Sequence, residues 1–183
     1  MLSRSNWLIL ALATLAAVIG GYTQHRLRQP QAPDTALISQ RLHALQLPDL
    51  DGRPHRLDEY RGHRVLLNFW ASWCQPCLEE LPALVRMQAK FGEHGAIIVG
   101  IAMDEPARVR AFLARYPVNY PILLGQFTAP STSLLAGDTD EVLPYSVLLD
   151  SEGQVIDTHR GALSESQLTA WLTTGPTPPK DND

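Results

Sequence analysis

Cys74 and Cys77 are the only cysteines in the chain, and they stand three positions apart in FWASWCQPCLEELP, residues 69–82. A Cys-x-x-Cys pair serves as half of a zinc site, as a short structural staple or as a redox couple. Zinc takes four ligands, and a structural Cys-x-x-Cys is normally answered by a second one or by a histidine pair. Neither is present: His55, His63, His94 and His159 are scattered singly. A staple closing a loop of two intervening residues removes little entropy from the unfolded chain. The dithiol/disulfide couple remains. At the junction of a buried strand and a helix, free backbone N–H groups and the helix dipole favour the thiolate of the first cysteine. Cys74 is then the nucleophile that attacks a substrate disulfide, and Cys77, one turn further in, resolves the mixed disulfide.

The elements that must position this pair are legible around it. Residues 65–70 (VLLNFW) form an apolar run broken only by Asn68, as a central strand buried on both faces requires. Beyond the pair, Leu78, Leu81, Leu84 and Val85 recur at helical spacing over residues 77–91, with Pro82 expected to kink the helix. A second buried strand follows at 96–102. A helix at 106–116 with Pro106 in its first turn comes next, then a short strand at 120–124 and a short helix or loop at 131–138. The chain closes with strands at 145–149 and 154–158 around a turn at 151–153, and a helix at 164–172. Upstream, Asp51-Gly52 between two short alternating segments signals a hairpin. Strands alternating with helices early and paired late predict an α/β fold, a mixed central sheet flanked by helices.

The 183 residues suit one domain with extensions. Residues 1–23 read as a membrane anchor or signal. The stretch 7–22, WLILALATLAAVIGGY, is apolar apart from Thr14, exceeds the roughly 7–15 residues of a signal-peptide core and shows no clean A-x-A cleavage site near its end, where the small residues Gly20 and Gly21 could admit cleavage. An uncleaved anchor is expected. Arg4 on one side and Arg26 and Arg28 on the other do not decide its orientation. A redox-active pair orients it instead, with the catalytic domain in the periplasm, on the oxidising side of a bacterial cytoplasmic membrane. Residues 24–40, polar and without sustained periodicity, read as a tether. The domain is expected over 41–173, with a proline-rich, disordered tail at 174–183. With 15 basic against 19 acidic residues and no basic stripe, the chain is not expected to bind nucleic acid.

VLLNFWASWCQPCLEELP (65–82) and LPYSVLLDSEGQV (143–155) resemble the thioredoxin superfamily, and within it the membrane-tethered TlpA/ResA-like thiol-disulfide oxidoreductases. The resemblance spans residues 41–173 and rests on Trp73 before the pair, Pro76 inside it, Pro82 after it, and Pro144 before a strand ending in Asp150. It implies a thioredoxin-like fold of βαβ and ββα halves, with an N-terminal β-hairpin and a short central insertion. It also implies that Pro144 follows a cis peptide bond, although only about 5–6% of X-Pro bonds are cis and the local sequence by itself favours trans. Trp73, Gln75, Pro76 and Leu143 would shape the substrate-facing surface. Glu80 shares a helix face with Cys77 and, through the matching CxxExP pattern, is implied to tune thiol ionisation. Asn68 stands where cytosolic thioredoxins carry a buried Asp, and an amide cannot exchange a proton.

The activity implied is a protein-disulfide reductase that receives electrons from a thiol-disulfide donor in the membrane. No cofactor beyond the Cys74–Cys77 disulfide and no metal are expected. Clients in such families include apocytochrome c and copper-site assembly proteins, but VLPYSVLLD departs from the usual cytochrome c biogenesis signature. No cationic histidine lies between the cysteines, which favours a potential nearer the roughly −270 mV of thioredoxin than the roughly −120 mV of a strong oxidant. Two other functions compete. One is a disulfide oxidant or isomerase. The other is a Cu(I) metallochaperone, which no Met-rich or His-rich stretch supports. A peroxidase does not need the paired cysteines.

Overall fold

The computed structural model describes residues 34–173 and, in the N-terminal segment, Leu15. The rest of the expected anchor, the tether up to residue 33 and the tail at 174–183 lie outside the described residues. Among those described, no helix is long and apolar enough to cross a membrane.

The first helix, α1 (Thr35–Ala44), starts where the Asp34 carboxylate accepts the N–H of Leu37 at 3.1 Å, an N-cap. It buries Ile38 and Leu42, and its Ser39 hydroxyl accepts the N–H of Val155 at 2.8 Å. The expected boundary at residue 41 therefore falls inside a helix, and the compact unit begins at Asp34. One i, i+4 pair of core residues is too short a pattern to register as periodicity.

Strands β1 (Gln46–Pro48) and β2 (Pro54–Arg56) form the expected antiparallel hairpin. Gly52 takes the left-handed conformation its turn needs (φ 81°), and the Asp49 carboxylate accepts the N–H groups of Asp51 and Arg53. The main sheet has the order β5-β4-β3-β6-β7. Strands β3 (Arg64–Trp70), β4 (Ala96–Ala102) and β5 (Ile122–Leu124) are parallel, and β6 (Tyr145–Leu149) and β7 (Val155–Arg160) run antiparallel. Helix α2 (Gln75–Phe91) links β3 to β4, and α5 (Glu165–Leu172) follows β7. Between these halves lie α3 (Pro106–Arg115), β5 and the short α4 (Thr132–Leu135).

Alternation along β3 assigns its two faces. Val65, Leu67 and Phe69 pack with Tyr145 and Val147 of β6 and with Ile38, Leu42 and Leu47. Leu66 and Trp70 face the other way, toward Leu84 and Met87 of α2, Val109 of α3 and Leu168 of α5. Both cysteines belong to this second cluster. Helix α2 begins two residues before its sequence-based start, with Cys74 at its N-cap position and Pro76 in its first turn, where no N–H is needed. It runs on through Pro82, which lacks the donor that the Leu78 carbonyl would otherwise meet.

If α1 belongs to the domain core, Leu42→Ala, at a site 1% exposed, should lower stability in urea unfolding by about 2–5 kcal/mol. A change under about 0.5 kcal/mol, typical of a detached surface segment, would contradict that placement.

Candidate active site

Strand β3 ends at Trp70, whose carbonyl accepts the N–H of Met103 at 2.7 Å and so joins the C-terminal ends of β3 and β4. The turn that follows is held from outside. The buried Asp104 carboxylate accepts both the N–H (3.1 Å) and the hydroxyl (2.5 Å) of Ser72. Cys74 then caps α2, with its own N–H on the Ala71 carbonyl and its carbonyl on the N–H of Leu78. Its sulfur lies at the positive end of the helix.

Cys74 and Cys77 are joined in a disulfide, with S–S 2.06 Å. Cys74 is 5% exposed and Cys77 2%, so the first sulfur is the slightly more open one. Gln75 and Pro76 are exposed at the rim, and the Gln75 amide donates to Glu79 at 3.2 Å.

Under the disulfide lies the one buried polar group of α2. Cys77, Glu80, Leu81, Leu84 and Met87 form a single buried stripe, so Glu80 enters the apolar face one turn beyond Cys77. One of its oxygens accepts the N–H of Leu163 at 2.8 Å and the other the Asn68 amide at 3.3 Å. Asn68 also donates to the Ser146 hydroxyl at 3.2 Å, which is its neighbour across the β3–β6 pairing. Burial pushes the Glu80 carboxyl up to about 7, against the two hydrogen bonds that favour its charged form. Asn68 exchanges no proton, but it positions the side chain that can.

The pairing of Phe69 with Tyr145 sets the buried Pro144, one step further, level with the end of β3. The Leu143–Pro144 peptide is cis, as the resemblance implies. Leu143 packs against the cluster that contains both cysteines, and together with Trp73 it lines a small pocket. Trp73 is 60% exposed, Phe127, 55% exposed, lines the same pocket, and Val142, next to Leu143 in the chain, is 52% exposed. Sequence reasoning missed Phe127, Val142, Glu141 and the Ser72–Asp104 bond. The first three lie in irregular segments with no periodicity to single them out, and the last joins residues 32 positions apart.

Charge in the segments that form the site is mostly negative. The segments 71–82, 103–107 and 125–144 contain Glu79, Glu80, Asp104, Glu105, Asp138, Asp140 and Glu141, and no Lys, Arg or His, while Arg108, one residue beyond, pairs with Glu105 at 3.6 Å. Arg160 of β7 approaches from outside, but its guanidinium is engaged by Asp138 (3.4 Å), Asp140 (3.3 Å) and the Thr139 hydroxyl (3.0 Å).

Similarity to known proteins follows the same residues. The AhpC/TSA family model matches residues 38–174. The thiol-disulfide oxidoreductase ResA of Bacillus cereus is 30% identical over 125 residues, 68% of this chain and 70% of that protein. The thioredoxin-like protein YneN of Bacillus subtilis is 30% identical over 163 residues, 86% of this chain and 93% of that one. Among solved structures, a putative thiol:disulfide interchange protein DsbE from Chlorobium tepidum superposes with a TM-score of 0.61 at 29% identity, covering 70% of this chain and 93% of that one.

The raised Glu80 pKa has a direct consequence for stability. The folded state holds the Glu80 proton up to about pH 7, whereas the unfolded chain releases it near 4.5. Glu80 therefore contributes stability that is complete below pH 4.5 and is lost as pH rises through 7. The oxidised protein should lose on the order of 3 kcal/mol between about pH 4.5 and 8 from this group. In Glu80→Gln, urea titrations should show that slope flattened. An unchanged slope would mean that Glu80 is ionised throughout.

Proposed function

The chain belongs to the AhpC/TSA family of thioredoxin-fold proteins and is a thiol-disulfide oxidoreductase, and from that premise we propose that it reduces protein disulfides on the outer face of a bacterial cytoplasmic membrane. The observation that carries the direction of the reaction is the predominantly acidic surround of the Cys74–Cys77 disulfide, whose flanking arginines, Arg108 and Arg160, are both held by carboxylates. A disulfide is a strong oxidant when the reduced, thiolate form of its pair is stabilised. Here the helix N-terminus favours the Cys74 thiolate, while the nearby carboxylates oppose it and the flanking Arg108 and Arg160 are engaged by carboxylates rather than by the cysteines. The reduced pair is then the better electron donor.

In the reduced protein the Cys74 thiolate attacks one sulfur of a client disulfide. The client S–S bond breaks, a Cys74–client disulfide forms, and the departing client thiolate takes a proton from water. Cys77 gives its thiol proton to Glu80, attacks the Cys74 sulfur and closes the Cys74–Cys77 disulfide, which expels the second client sulfur as a thiolate that takes a proton from water. Two electrons pass from protein to client. A carboxyl with a pKa of about 7 is half ionised near neutral pH, so Glu80 can accept that proton and later return it. The Leu143–Pro144 segment and Trp73 receive the client chain. No cofactor other than the cysteine pair takes part, and a membrane dithiol donor re-reduces it.

The apolar run at 7–22 supports the anchoring, and the absence of further cysteines suits an oxidising compartment. Haem-site cysteines of apocytochrome c and copper-site assembly proteins are two client types for such a reductase.

In Cys77→Ser the first step proceeds and the second cannot. The reduced variant should accumulate a disulfide adduct between Cys74 and an oxidised protein such as insulin, visible on non-reducing gels and cleared by dithiothreitol. The double variant lacking Cys74 should form none. Loss of Cu(I) affinity in Cys77→Ser without any trapped adduct would instead favour the metallochaperone.

A further inference from the structure

Trp73, the residue preceding Cys74, lines a pocket of about 50 Å³ with Met103, Phe127, Ser131, Glu141 and Leu143. Its rim is apolar, formed by the exposed faces of Trp73 and Phe127 and by Leu143. Its other end is a carboxylate. One oxygen of Glu141 accepts a hydrogen bond from the Ser131 hydroxyl, and among the described residues no cation pairs with Glu141. The nearest candidate along the fold, Arg160, is engaged by Asp138 and Asp140.

Two further features mark Glu141. It is the only non-glycine residue with positive φ (51°) among the described residues, a conformation that side-chain-bearing residues rarely adopt. Its N–H donates to the Asp138 carbonyl at 3.2 Å, and Asp138 is in turn held by Arg160, so this backbone is fixed two residues before Leu143. The remaining charged residues of the segments that form the site are also acidic.

We propose that this pocket selects clients carrying Lys or Arg beside the cysteine attacked by Cys74. The methylene stem would lie against Trp73 and Phe127, as long cationic side chains do on apolar surface, with the charge over the Trp73 ring and on the free Glu141 oxygen. An apolar side chain would fill the rim and leave the carboxylate unpaired, and an acidic one would be repelled by the whole surround. The assignment rests on the reading of the chain as a reductase of protein disulfides and names the clients that this reading leaves open.

The test uses the reduced full chain and three peptides with the same internal disulfide, differing only in Lys, norleucine or Glu beside the attacked cysteine. The Lys peptide should exceed the norleucine peptide in the second-order rate constant of its single-turnover reduction by about fivefold, an advantage that shrinks with added salt, and the Glu peptide should be slowest. In Glu141→Gln the Lys-to-norleucine ratio should fall toward one. Glu141→Gly provides the same test at a backbone conformation that glycine adopts freely, and Glu141→Asp should restore part of the ratio. A ratio near one in the unmodified protein, or a ratio unchanged in both Glu141→Gln and Glu141→Gly, overturns the proposal. Turnover of the norleucine peptide reports exchange chemistry by itself, so failure with all three peptides overturns the reductase reading and this one with it.

Discussion

The structure is organised around a carboxyl group buried where only apolar side chains would be stable on their own. Glu80 occupies the α2 stripe that packs on the sheet, 4% exposed, and is tolerated because each of its oxygens meets a donor from a different element. Asn68 reaches it from β3, and the backbone of Leu163 reaches it from the segment leading into α5. An unpaired buried charge would cost several kcal/mol, so these bonds also fix where α2 lies relative to the sheet. With α2 held there, Cys77 is fixed one turn away and Cys74 at the helix end. The same burial that makes the group costly to ionise brings its pKa to about 7, where a proton can be exchanged with a thiol.

Around that joint, the electrostatics of the site are the balance of two opposing influences. The N-terminus of α2 presents positive potential to Cys74. The charged residues of the segments that enclose the disulfide are carboxylates, and the flanking arginines are tied to them, Arg160 to Asp138 and Asp140 and Arg108 to Glu105. The first influence favours a thiolate at Cys74 over one at Cys77. The second opposes that stabilisation, which is what the proposed reductase direction requires. The apolar surface of Trp73, Phe127 and Val142 beside this charge suits a partner that is itself a protein chain.

Much of this arrangement is legible in the amino-acid pattern. The unbroken run at 65–70 requires a strand buried on both faces, and β3 lies between β4 and β6 with its alternate residues in two separate clusters. Asp51-Gly52 marks the hairpin because few residues adopt its turn conformation. The cysteine pair marks the site because its spacing admits few chemistries. Helix α1 is hidden, since its link to the core is Ile38, Leu42 and a hydroxyl contact to Val155, 116 residues from Ser39. That Asn68 exchanges no proton follows from its side chain alone, but its service to Glu80 depends on a helix–strand contact that spacing does not encode. Phe127 and Glu141 acquire their meaning only when the loops carrying them fold against Trp73 and Leu143.

The direction of electron flow depends on a reduced pair that gains little stability from its surroundings. The equilibrium reduction potential of Cys74/Cys77 in the full chain, titrated against glutathione and dithiothreitol buffers, reads that quantity directly. A value below about −200 mV, toward the roughly −270 mV of thioredoxin, is the expected result. A value near about −120 mV would mean a strongly stabilised thiolate and an oxidant in place of a reductase.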